Sequence, residues 1–163
     1  MRIDRVVVNA SPLITLFKSG QAHLLPALFQ EVQVPDAVWG EIVDAGHDDV
    51  ASRQLVQAAW ALRLPAQPRD PLVLAWDAGP GETEVLSYAR ANPDICAVVD
   101  DDYARRCAQS LGVRTLGTCG VIVLAKRRGV IPEVKPCLAA LRAAGLWLSD
   151  GLIRSVMAEA GEQ

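Results

Sequence analysis

Short apolar runs alternate with stretches of helical spacing along most of this chain. Strands are predicted at Val6 to Asn9, Val32 to Val34, Leu62 to Leu64, Ile95 to Val99, Arg114 to Leu116 and Leu146 to Leu148. Ser11 is the expected N-cap of a first helix, with Pro12 behind it and Leu13, Ile14, Leu16 and Phe17 on its apolar face. Further helices are expected at Leu24 to Phe29 (broken by Pro26), Pro35 to Val43, Asp48 to Trp60, from Gly79 through Ala89, and from Asp102 to Leu111. Three more follow: Val121 to Arg128, Glu133 to Ala144, and a last one to Ala160 opened by Ser149-Asp150. Pro65 to Pro71 reads as an internal loop and Gly117 to Gly120 as a turn. Strands alternating with helices predict an α/β chain, its mostly parallel central sheet covered on both faces.

At 163 residues this is expected to be one domain, 1–163, with a substantial core. Half of the residues are apolar, which argues against disorder. The net charge of −3 argues against wholesale wrapping of a polyanion, but it is compatible with an acidic site neutralised by metal. Cys96, Cys107, Cys119 and Cys137 lie far apart in apolar surroundings and read as reduced, buried thiols. His23 and His47 have no metal-ligand spacing. No signal peptide or membrane-spanning run is evident, and a cytoplasmic location is the expectation.

The chemistry-bearing stretch is Asp100-Asp101-Asp102, three carboxylates between a buried strand and a helix. In an open α/β sheet that edge is where ligand sites form. Their mutual repulsion calls for a helix N-terminus, water, arginines or a divalent cation. Asn9, Glu41, Glu82 and Glu84 stand at other places such a sheet can gather. Hard oxygen ligands of this kind suit Mg²⁺ or Mn²⁺ and a water polarised toward a phosphodiester. Acids at helix N-termini also stabilise those helices by ~0.3–1 kcal/mol each, which accounts for Glu82, Glu84 and part of the Asp run with no catalytic role. Spacing leaves both readings open.

The order of motifs adds to this. Val6-Val-Val-Asn-Ala-Ser-Pro-Leu-Ile14, Val34-Pro-Asp-Ala-Val-Trp-Gly-Glu41, Gly81-Glu-Thr-Glu-Val85 and Val98-Val-Asp-Asp-Asp102 resemble, in that order, PIN-domain proteins. The closest likeness is to a prokaryotic branch with an Asn-x-Ser-Pro-Leu-Ile opening, and Gly117-Thr-Cys-Gly120, Lys126 to Pro132 and Lys135-Pro136 match it too. The resemblance implies a three-layer α/β/α sandwich and a metal-dependent endoribonuclease using Mg²⁺ or Mn²⁺. In toxin-type members such a chain forms a homodimer held in check by a small antitoxin protein. Carried over by position, Glu41, Glu82 and Asp101 are the catalytic acids, and Asn9, Glu82, Asp100 and Asp101 the metal ligands. Ser11 and Glu84 are auxiliaries. Asn9 stands where active PIN nucleases place an Asp, so the site carries one charge fewer, and a weak or inactive RNA- or protein-binding module is the alternative.

Arg105, Lys126 and Arg127 are candidate RNA contacts beside the acids, and Asp102 is expected to pair with Arg106 one turn on. Gly79-Pro-Gly81 lacks the Gly-Lys-Ser/Thr of a phosphate loop and reads as the start of a helix. The four tryptophans read as core or dimer contacts. A receiver-type phosphoacceptor domain would need an acid at Asn9 and a strand-end lysine, and this chain has neither.

Overall fold

The structure, a computed structural model, describes residues 2–163. Its centre is a five-stranded, all-parallel sheet: β1 (Arg5–Val8), β2 (Glu31–Pro35), β3 (Ala61–Leu64), β4 (Ile95–Val98) and β5 (Thr115–Leu116), in the order β3-β2-β1-β4-β5. Side chains alternate between the faces of a strand. Val6, Val7 and Val8 are nevertheless all fully buried, as are Cys96, Ala97 and Val98. Both faces are therefore covered, which makes a three-layer α/β/α sandwich. Burying one such valine contributes about 1.5–3 kcal/mol.

Ten α-helices supply the covering: α1 (Ala10–Lys18), α2 (Leu24–Leu28), α3 (Asp36–Trp39), α4 (Val50–Gln57), α5 (Pro71–Leu74), α6 (Pro80–Ala91), α7 (Asp102–Ser110), α8 (Thr118–Arg127), α9 (Lys135–Ala143) and α10 (Asp150–Glu159). A π-helical turn, Gly40–Asp44, continues α3. Among the described residues no helix is long and apolar enough to cross a membrane.

Several boundaries differ from expectation. Helix α1 starts one residue before Ser11, so Asn9 occupies the N-cap and Pro12 falls in the first turn, where a missing N–H costs nothing. Pro26 likewise sits in the first turn of α2 and does not break it. Helix α4 opens later than Asp48, with Asp49 and Ser52 forming a reciprocal capping box. Helix α8 begins at Thr118, inside the expected turn. Leu146 to Leu148 is not a strand: it is a link in which Leu148 is buried and Trp147 is 81% exposed. Trp39, Trp60 and Trp76 are partly buried against the core. Arg106 lies over the Tyr103 ring, 5.9 Å from its centroid, and the expected Asp102–Arg106 ion pair is not among those formed by the described residues.

Candidate active site

Strand β1 lies between β2 and β4, so successive connections leave it in opposite directions across the sheet. The crevice outside the C-terminal ends of β1 and β4 is the switch point where ligands bind in such sheets. Asn9 follows β1 directly and its N–H donates to the Val98 carbonyl at 3.0 Å, while Asp100 lies two residues beyond the end of β4. The sheet's register therefore brings two distant motifs to one edge.

Asn9 is only 2% exposed. Its dihedrals (φ −79°, ψ 165°) are those of an N-cap, yet its side chain does not cap α1. Instead Nδ2 donates to Glu82 Oε1 at 3.1 Å. That bond orients the amide, because turning it over would set two oxygens against each other. Oδ1 is left buried with no hydrogen-bond partner. Such an atom costs ~1–3 kcal/mol and is rare in a folded protein.

Glu82 belongs to the first turn of α6 and folds back over Gly79, where an added Cβ would lie 2.9 Å from Oε2. Gly79 has φ +106°, a conformation that L side chains rarely adopt, so the turn into α6 requires glycine twice over. The segment before it is tied to α7, since the Tyr103 hydroxyl donates to the Trp76 carbonyl.

Glu41 arrives from the π-helical turn. An added Cβ on Gly81 would stand 2.5 Å from Glu41 Oε1 and 3.2 Å from Asn9 Oδ1, so α6 approaches both oxygens closely only because residue 81 has no side chain. Part of Glu41 is open to solvent, but its carboxyl end is set against this bare helix start. Burial first, and the Glu82 charge second, hold its carboxyl above the usual carboxylate range.

Asn9, Glu41 and Glu82 thus converge, and the other expected site residues are occupied differently. Asp100 uses both oxygens on Thr118, Oδ1 accepting from the backbone N–H at 2.7 Å and Oδ2 from the hydroxyl at 2.5 Å. It fastens the end of β4 to the start of α8. Asp101 is exposed and caps its own helix, Oδ2 accepting from the Ala104 N–H at 2.8 Å. Glu84 is buried and turned away to α3, accepting from the Ala37 N–H at 3.0 Å. Pro35, at the N-cap of α3, has no side-chain acceptor, and Glu84 serves in its place. Ser11 is exposed in the first turn of α1. Among the described residues no three carboxylate, imidazole or thiol side chains form a group that could hold a metal ion.

The expected RNA contacts separate. Arg105 lies over Gly117 beside Asp100, at the edge of the site. Lys126 and Arg127 sit at the far end of α8, whose ten residues span ~15 Å from Thr118. Lys126 is paired there with Glu162 at 2.7 Å, and the next residue, Arg128, donates to the carbonyls of Ile3 and Leu28 near the opposite edge of the sheet. Neither Lys126 nor Arg127 reaches the acids. Gly81 and Thr118 are missed from sequence because their roles are contacts with distant side chains. The signal available for Gly81 was the Gly-Pro-Gly run itself.

A family described as DUF3368: PIN domain matches residues 5–162, nearly the whole chain. The chain belongs to this PIN-domain family. No curated protein matches it significantly. PIN domains have a nuclease-like fold and generally use divalent metals. The donor set fits such an ion at one place: the partnerless Asn9 Oδ1 and the Glu82 carboxylate offer hard oxygens beside Glu41. Cys119, half-buried near Asp100, contributes no thiolate, because burial first and Asp100 second push its thiol up to about 11.

Proposed function

We propose that this PIN domain is a metal-dependent endoribonuclease that hydrolyses single-stranded RNA, and that it acts as the toxin of a toxin–antitoxin pair. The observation that supports the activity is the buried, partnerless Asn9 Oδ1 beside Glu41 and Glu82 at the switch point of the sheet. Asn9 Oδ1 and Glu82 would hold Mg²⁺ or Mn²⁺. When bound, the ion supplies positive charge against the scissile phosphate and makes a water more acidic.

The chain's own groups do the rest. Glu41, whose raised proton affinity suits it to the task, takes the proton of the attacking water on its carboxylate. Asn9 Nδ2 fixes the Glu82 carboxylate by its hydrogen bond. Helix α1 has no side-chain cap, and its first turn, with Ser11 exposed, offers donors to a phosphate oxygen. Asp100 and Asp101 hold the ends of α8 and α7 in place and stay outside the proton path.

Cleavage of a labelled single-stranded RNA with Mn²⁺ or Mg²⁺ tests this. Wild type cuts, chelation stops it, and Glu82→Gln and Glu41→Gln abolish it. Equal cleavage by wild type and Glu82→Gln overturns the assignment. The toxin role is tested by expressing the chain with and without a small protein encoded beside it. Growth arrest relieved by that protein supports the pair, and its absence removes the toxin role while leaving the activity untouched.

A binding module without turnover is the second reading, favoured by the neutral Asn9 and by the engagement of Asp100 and Asp101 with backbone N–H groups. It predicts RNA binding that neither needs nor responds to the metal.

A further inference from the structure

A polyanion cannot approach paired carboxylates unless cations border them. Those expected from sequence, Lys126 and Arg127, face the other way. On the Asp100 side the neighbouring cation is Arg105. On the Glu41 side there is a cavity of about 440 Å³, within the range of small-molecule sites. Glu41 lines it, so it opens onto the candidate active site.

One wall comes from α1, where Ile14 and Lys18 are a turn apart on one face. The other comes from the π-helical turn and the residues after it, through Ile42, Ala45 and His47. Lys18 makes no ion pair with any described residue. The remaining acid of the lining, Asp49, already accepts the Ser52 N–H at 2.9 Å as the cap of α4. Its carboxyl is held low by that bond first and additionally by Lys18 and His47, which places both near it. The cavity thus combines apolar lining, two nitrogen donors and an opening onto Glu41.

We propose that this cavity seats the nucleotide of single-stranded RNA adjoining the scissile phosphate. Its base packs on Ile14, Ile42 and Ala45, and its phosphate is met by Lys18 and His47. Arg105 takes the strand on the far side of the acids, so the RNA crosses the switch point between two cationic edges. The subsite rests on the ribonuclease reading.

The test uses the full chain and a short fluorescent single-stranded oligoribonucleotide. Binding is followed by anisotropy over a series of KCl concentrations with metal chelated, and kcat and KM are measured with Mn²⁺. Lys18→Ala/His47→Ala binds about tenfold more weakly at low salt, and its log K against log[salt] slope is shallower by about 1.4, two contacts at ~0.7 each. KM rises by a similar factor while kcat stays within about twofold, and Arg127→Ala matches wild type in every measure. A wild-type chain that cleaves RNA, with a double variant of unchanged slope and KM, overturns the subsite and leaves the ribonuclease standing. Lys18-dependent binding without metal-dependent cleavage overturns the ribonuclease and retains this cavity as an RNA seat. A wild type that binds no RNA overturns both.

Discussion

Gly81→Ala is the sharpest perturbation of the site. Gly81 is the second residue of α6 and its φ is not in the left-handed region, so alanine suits the backbone and favours the helix by up to ~1 kcal/mol. The new methyl would sit 2.5 Å from Glu41 Oε1. Ordinary contact lies near 3.5 Å, so the carboxylate must retreat by about 1 Å, which the end of a flexible side chain does readily. The fold is expected to survive, with a urea midpoint within ~1 kcal/mol of wild type. Misplacing a reacting group by that distance costs on the order of 10²-fold in rate. RNA cleavage with Mn²⁺ should therefore fall about a hundredfold. Because the loss acts through Glu41, Gly81→Ala should add little to Glu41→Ala in a double-mutant cycle. A Gly81→Ala protein that cuts at the wild-type rate, or losses that multiply fully with those of Glu41→Ala, would refute the reasoning.

Asn9→Asp sets a third carboxylate beside Glu82 and Glu41, so it should lower the melting temperature without metal and raise it in Mn²⁺, with tighter Mn²⁺ binding by calorimetry. Glu84→Ala removes the acceptor of the Ala37 N–H and should cost ~1–2 kcal/mol in urea unfolding, much of it restored by Glu84→Gln, which keeps an acceptor. Glu41 is held above its ordinary value of 4.5, so the fold disfavours its ionised form. Its contribution to stability is full below that value and is lost as pH rises through the raised one. Glu41→Gln should remove this decline from a series of urea midpoints taken across acidic pH. Asp101→Asn keeps a good N-cap and removes only charge, and should cleave within about threefold of wild type.

Much of the sheet was legible because buried parallel strands are short apolar runs, and Val6 to Val8 and Ile95 to Val98 are fully or almost fully buried. The same signal misled at Leu146 to Leu148, where no neighbouring strand offers its edge and Trp147 turns to solvent. Helix α5 escaped notice because four residues after a proline-rich loop are too few to show a period. The π-helical turn under Glu41 was equally hidden, since a change of hydrogen-bond register leaves the side-chain pattern almost intact. For the site, the motifs named the acids but not their orientations. Asp100, Asp101 and Glu84 all bind backbone N–H groups at helix starts, and that depends on which helix end folding brings near. Asn9 is the reverse case: a residue with an ordinary capping role whose side chain is diverted to Glu82.

The pairing of Val8 with Val98 has a consequence for the chain as it is made. While only the first ninety or so residues have left the ribosome, β1 lacks one of its two neighbours and the edge beyond Asn9 is open. Asp100 finds its anchor only when Thr118 follows. For a chain proposed to cut RNA, the cutting edge is then assembled late, when most of the message has been read. A nascent copy still tethered to its own template would be harmless to it.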